Sequence, residues 1–194
     1  MLTHHAGQIS HIVITRIIRI VKQEHQYYMN QAIAEAKKAS AMNEVPVGAI
    51  IVQQNGEIIS RAYNLRESDH CATAHAELLA IESACAYLSQ WRLSGCTLYV
   101  TLEPCFMCAG AIVLARIPTV VYGASDPKTG AVKSLANVLS DTRLNHTCEI
   151  IEGVCEEDAS SLLKNFFKKK RKKIGIHLKE IQDSDNTNVL YLEG

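Results

Sequence analysis

An opening pair of strands followed by strictly alternating helices and strands constrains this chain more than any other feature. Residues 47–52 form a short apolar run, Val-Gly-Ala-Ile-Ile-Val, the pattern of a strand buried on both faces. Asn55-Gly56 supplies a hairpin turn, and residues 57–61 form the returning strand. The pattern then alternates: helix over 74–88, strand over 97–102, helix over 106–116, strand over 119–123, a short strand over 149–151 and a last helix over 156–173. A helix over 24–42, rich in Ala, Gln, Glu and Lys and free of Gly and Pro, precedes the first strand and stops before Pro46. Such an order implies a three-layer α/β/α domain on a mixed five-stranded sheet. With 194 residues, no internal repeat and no linker, one domain is expected over residues 22–175. Residues 1–21 are expected to be an N-terminal extension outside the fold, and 176–194 a polar C-terminal tail that frays.

Charge and cysteine content narrow the setting. Twenty Lys and Arg balance twenty Asp and Glu, so placement matters more than sum. Residues 164–173 carry seven cations and no acid, leaving the remainder about seven charges negative. That run is either a nucleic-acid footprint or a solvated helix tail. The seven cysteines are odd in number and lack a secretory spacing, which points to a reduced, cytoplasmic chain. No apolar run is long enough to span a membrane, since residues 12–21 are interrupted by Arg16 and Arg19. The first acid is Glu24, so the start of the chain is a basic stretch with neither the apolar run nor the cleavage site of a signal peptide.

His75, Cys105 and Cys108 carry the chemistry. Cys105 and Cys108 are three apart, hence on one face of a helix. Pro104 suits the first helical position and Thr73 is a plausible cap for the helix that His75 opens. Both helices follow strands, so their N-termini can meet at one end of the sheet, where open α/β folds bind ligands. Cys-x-x-Cys alone is a redox pair, half of a structural zinc site or two core cysteines. Glu77 shifts the balance. One imidazole and two thiolates make three ligands for zinc, and a catalytic zinc keeps its fourth position for water. A carboxylate two residues from a ligand can shuttle protons for that water, if the site lies at the mouth of the helix. Otherwise Glu77 is a surface first-turn glutamate favoured by the helix dipole.

His75-Ala76-Glu77 with Pro104-Cys105-Phe106-Met107-Cys108 resembles the zinc nucleoside-deaminase signature. The likeness extends to 44–49 (Glu-Val-Pro-Val-Gly-Ala), 98–111, 126–131 (Asp-Pro-Lys-Thr-Gly-Ala) and Asn145-His146. Over roughly residues 24–173 the chain is similar to the bacterial tRNA-specific adenosine deaminases, which belong to the zinc cytidine/deoxycytidylate deaminase superfamily. The resemblance implies a cytidine-deaminase-like fold, one zinc per subunit held by His75, Cys105 and Cys108, and Glu77 as the proton carrier. It implies conversion of the wobble adenosine of a tRNA anticodon to inosine, with an arginine tRNA carrying ACG as the expected substrate. It also implies a homodimer formed through the active-site face. Carried over position by position, Asn64 would contact the flipped nucleotide, Asp126 and Asn145 would line the anticodon pocket, and Phe167, Lys168, Lys170 and Arg171 would meet the RNA from the last helix.

Each of these positions has a plainer reading. Asn64 is a turn residue, Asn145 a loop cap, and of Phe166 and Phe167 one is expected in the core and one at the surface. The chain also departs from the family. Cys71-Ala72 stands where Asp-Pro is usual, and lysines replace most of an arginine-rich stretch at 168–170, losing the bidentate fork. Two other functions compete: deamination of a free guanine- or cytosine-type base or nucleoside, and a catalytically silent zinc-stapled RNA-binding module. The basic last helix argues against the first, and Glu77 against the second.

Overall fold

The computed structural model describes the backbone of residues 3–189 and the side chains of 13–172. Five strands form one sheet in the order β2-β1-β3-β4-β5, with β1 Gly48–Gln53, β2 Ile58–Tyr63, β3 Cys96–Leu102, β4 Thr119–Ala124 and β5 Glu149–Ile151. β1 runs antiparallel to both β2 and β3, whereas β3, β4 and β5 are parallel, so the sheet is mixed as expected. Four helices complete the fold: α1 Thr3–Ala41, α2 Ala76–Leu88, α3 Phe106–Leu114 and α4 Glu156–Val189.

Alternation along the strands divides the core in two. Ile51, Leu98, Val100, Val120 and Tyr122 face α2 and α3, where Ala76, Ala80, Ile81, Ala84, Ala109 and Ile112 meet them. Ile50, Val52, Tyr99 and Val121 point the other way, against Tyr28, Met29, Ala32 and Ile33 of α1 and against Leu162 of α4. The small residues of α1 let it lie directly on the sheet. At Gly48 a Cβ would stand 2.1 Å from the carbonyl oxygen of Ala32, so no other residue fits.

Several local expectations need correction. α1 begins at Thr3 and not near Glu24, because residues 3–41 contain no proline to stop the helix. Its packed part still begins with His25, and every side chain from Val13 to Glu24 is exposed. α4 continues to Val189, past the expected end at 173, over a stretch that contains no proline. Pro104 is not the first helical residue of α3. Cys105 is the N-cap, and the Pro104 carbonyl accepts the Ala131 N–H at 2.8 Å. Thr73 does not cap α2, whose N-cap is His75.

Candidate metal centre and substrate face

The N-termini of α2 and α3 meet beyond the carboxyl ends of β3 and β4, and each helix begins on a ligand-type side chain. His75 and Cys105 are both N-caps in extended conformation, and neither side chain spends itself on a capping bond. The role vacated by Thr73 is taken by Asn64, buried at the end of β2, whose Oδ1 accepts the Ala76 N–H at 2.9 Å. Asn64 therefore ties β2 to the residue following His75.

Three ligand atoms converge. His75 Nδ1 lies 3.8 Å from Cys105 Sγ and 3.5 Å from Cys108 Sγ, and the two sulfurs are 3.6 Å apart. Zn–S bonds of about 2.3 Å and Zn–N bonds of about 2.0–2.1 Å at tetrahedral angles require edges of roughly 3.8 Å between sulfurs and 3.5 Å from nitrogen to sulfur. The triangle fits such an ion without rearrangement, and no other group of three ligand-type side chains meets this closely among the described residues. The hydrogen bond with Cys108 holds the Cys105 thiol down to about 4, with burial opposing and His75 assisting. The same bond, with burial, pushes Cys108 far up, and the bond to Cys105 raises His75. Thiols that bind zinc do so as thiolates, so metal binding here would release protons.

Glu77, in the first turn of α2, is 3% exposed. Its Oε2 is buried with no hydrogen-bond partner. Burial pushes its carboxyl above the usual carboxylate range, against the opposing pull of its own N–H and of His75. A buried carboxylate oxygen left unpaired beside a thiolate–imidazole cluster calls for a ligand that carries a proton or an N–H.

Two further carboxylates, quoted above only as letters of a motif, hold the loops on either side. Glu44, buried between α1 and β1, accepts the N–H groups of Glu67 and Ser68 and the Ser68 hydroxyl, at 2.6–3.2 Å. It anchors the stretch that leads from β2 to His75. Glu103, at the end of β3, does the same for residues 126–134. Neither has a sequence signature of its own, since its partners are mostly main-chain amides.

The remaining candidate residues separate by position. Asp126 is half-buried in the loop after β4, where its Oδ1 accepts the N–H groups of Lys128 and Thr129 and its Oδ2 the Thr129 hydroxyl. Asn145 is exposed and accepts from Arg116 Nη1 at 2.8 Å, at the opposite end of α3 from Cys105. Within one chain it does not join the cluster. Phe166 is buried and Phe167 is 41% exposed, one of each as expected, packed edge to face with centroids 5.4 Å apart. Lys168, Lys170 and Arg171 are exposed. Lys170 Nζ lies 5.9 Å from the Phe166 ring and 3.9 Å from Glu67. Phe166, Lys169, Lys170 and Lys172 face Ser40, Asn43 and Glu67 across a cleft of about 640 Å³, which joins the basic turn to the loop that Glu44 anchors. Cys71 is exposed on that loop, paired with the Thr73 hydroxyl at 3.2 Å.

Residues 23–171 match the model of the MafB19-like deaminases. The tRNA-specific adenosine deaminase of Bacillus subtilis strain 168 is 54% identical over 150 residues, spanning 77% of this chain and 92% of that protein. The tRNA-specific adenosine deaminase of Streptococcus pyogenes serotype M1 is 47% identical over 158 residues, spanning 80% of this chain and 92% of that protein. A structure solved in biochemical and structural studies of A-to-I editing by tRNA:A34 deaminases at the wobble position of transfer RNA superposes with a TM-score of 0.68. It shares 43% identity and covers 71% of this chain and 99% of its own.

Proposed function

The chain belongs to the MafB19-like deaminase family, and from that membership we propose that it hydrolyses the wobble adenosine of a tRNA anticodon to inosine. One observation carries the chemistry: Glu77 is buried with an unpaired oxygen beside a tetrahedral-sized triangle of His75, Cys105 and Cys108. Those three side chains would hold one zinc per subunit, which would supply a Lewis acid able to make water a nucleophile near neutral pH. Glu77 would take one proton from the attacking water and give it to a ring nitrogen of adenine, where it stays, and would then pass the second, from the hydroxyl added at C6, to the amine, which leaves as ammonia. Asn64 has its Oδ1 committed to Ala76, leaving Nδ2 to donate to the flipped nucleotide.

The RNA-binding surface is assigned to Asp126 and to Phe167, Lys168, Lys170 and Arg171. Bases stack on an exposed ring, and lysines and arginine meet phosphates. Asn145 belongs to the same surface only if RNA extends along α3. A homodimer is supported by the outer face of α3, where Phe106, Met107 and Leu114 are exposed and Leu135 and Leu144 also stand open. We take residues 22–175 as the deaminase domain, and the cytoplasm as its compartment, in keeping with seven free cysteines. No helix among the described residues is long and apolar enough to cross a membrane.

The test is direct. Purified, zinc-loaded protein is incubated with transcribed arginine tRNA carrying an ACG anticodon, and inosine is read by sequencing at the wobble position. Free adenosine, guanine and cytidine run alongside. Inosine in the tRNA and no turnover of the free compounds is the expected result. Turnover of a free base with untouched tRNA overturns the reading.

A further inference from the structure

Glu103 is a single acid at the end of an apolar strand, between Leu102 and Pro104, and is 2% exposed. A buried carboxylate usually requires a countercharge. Here no lysine or arginine pairs with it among the described residues. Five donors from one loop meet it instead. Oε1 accepts the consecutive N–H groups of Val132, Lys133 and Ser134 at 3.2, 2.8 and 2.9 Å. Oε2 accepts the Asp126 N–H at 3.0 Å and the Ser134 hydroxyl. Successive amides turned toward one anion form a nest, normally a binding site for a ligand, which the protein here fills with its own side chain.

The main chain repeats the arrangement. The Glu103 N–H donates to the Ala124 carbonyl and the Ala131 N–H to the Pro104 carbonyl, both at 2.8 Å, and Cys105 bridges Gly130. The loop is so closely wrapped that a Cβ at Gly130 would stand 2.4 Å from the Glu103 carboxyl and 2.6 Å from the Asp126 carbonyl oxygen. One carboxylate thus joins both ends of the 126–134 loop to the strand whose continuation, two residues on, is Cys105.

We propose that Glu103 is a positioning residue for substrate recognition: it fixes the loop bearing Asp126 at a set distance from the metal ligand Cys105, so that the anticodon nucleotides and the reacting base are registered together. The proposal rests on the tRNA deaminase reading for its substrate, while its structural half stands apart from that reading. Fixed geometry of this kind acts on productive binding more than on the chemistry of a base already seated.

Glu103→Gln tests it. The amide keeps the volume but turns one acceptor into an NH2 facing donors. In the zinc-loaded dimer, KM for an anticodon stem-loop rises about tenfold or more, while kcat stays within about threefold. Zinc content remains that of wild type, and amide exchange quickens at 126–134 but not in β1 or α2. Gly130→Ala, which presses on the same carboxyl without altering it, gives the same pattern and serves if Glu103→Gln does not fold. Ser134→Ala, removing one donor, moves KM the same way by less. An unchanged KM with a lowered melting temperature, or unchanged exchange at 126–134, overturns the proposal and leaves Glu103 a packing residue. Loss of zinc in step with activity in both main variants also overturns it. Should wild type deaminate no RNA, the functional reading fails, and the exchange measurement still decides whether Glu103 holds the loop.

Discussion

Replacing Asn64 separates two duties that one side chain performs. Its Oδ1 satisfies the Ala76 N–H, an otherwise orphaned donor in the first turn of α2, in a place closed to water. Asn64→Ala leaves that donor unpaired, at a cost of about 1–3 kcal/mol, which overlaps the range for losing a helix cap. For a domain of this size each kcal/mol lowers Tm by about 2–4 °C, so a fall of roughly 2–12 °C is expected by calorimetry on the zinc-loaded protein. Because the bond sits beside His75, zinc affinity should weaken with it. Asn64→Asp keeps an acceptor, and a carboxylate is favoured at a helix N-terminus, so its Tm should recover to within about 3 °C of wild type. Aspartate has no NH2, however, so deamination of tRNA should remain depressed. An Ala variant that melts with wild type would refute the capping role. An Asp variant as active as wild type would refute the role of Nδ2 in holding the nucleotide.

Four shorter expectations accompany it. Glu77→Gln should keep zinc and fold while losing at least about a hundredfold in turnover, since a general acid–base group is removed and no ligand is touched; metal analysis and single-turnover kinetics check both halves. Cys105→Ser or Cys108→Ser should lose metal and stability together, because zinc binding is linked to folding, and a variant with native zinc affinity and Tm would remove the assignment. The triple change Lys168/Lys169/Lys170→Gln should weaken tRNA binding similarly for cognate and non-cognate loops and flatten the slope of log K against log salt by about two. Glu44 should leave an acid signature. Burial raises its pKa, but the donors Ser68 and Glu67 outweigh burial and hold it below the usual value. A depressed folded pKa means that the stabilisation is complete above the unfolded value of about 4.3 and is lost as pH falls through the folded one. The stability gap between wild type and Glu44→Gln, from urea midpoints, should be constant above about pH 5 and shrink below about pH 4.

The mixed five-stranded sheet and the meeting of His75, Cys105 and Cys108 were legible in the sequence because each rests on residue types with few alternative uses at that spacing. Cys105, Cys108 and His75 are donor-type side chains that meet at one point, and the strands around them are continuous apolar runs. What escaped depends on main-chain partners. Glu44 and Glu103 bind amides that any residue supplies, so no pairing of letters announces them; the one available signal was an acid set inside apolar sequence. The capping role of Asn64, beside the nucleotide contact that the resemblance implies, has no signal in the sequence because its partner is the amide of Ala76, twelve positions on. The length of α1 has no sequence mark because residues 13–24 are exposed, and burial periodicity is what marks a helix. Asn145 rests on the resemblance, and within one chain its side chain meets Arg116 beyond the C-terminal end of α3.

The two outer strands of the sheet also govern how copies of this chain can meet. β5 has only three residues, too few to template another chain. β2 pairs Ser60 with Ile51 and Ile58 with Val52, leaving Ile59 as an extra residue that kinks the strand. Midway along the same strand Arg61 stands exposed, its guanidinium held by Gln31 and facing Glu35 of α1. A blunt edge on one side and a kinked, charged edge on the other deny a neighbouring molecule the row of free amides and carbonyls that cross-β growth requires. Self-association is therefore steered away from sheet extension and onto helix faces, and the apolar surface of α3 can stay open without exposing the chain to fibril formation along its strands.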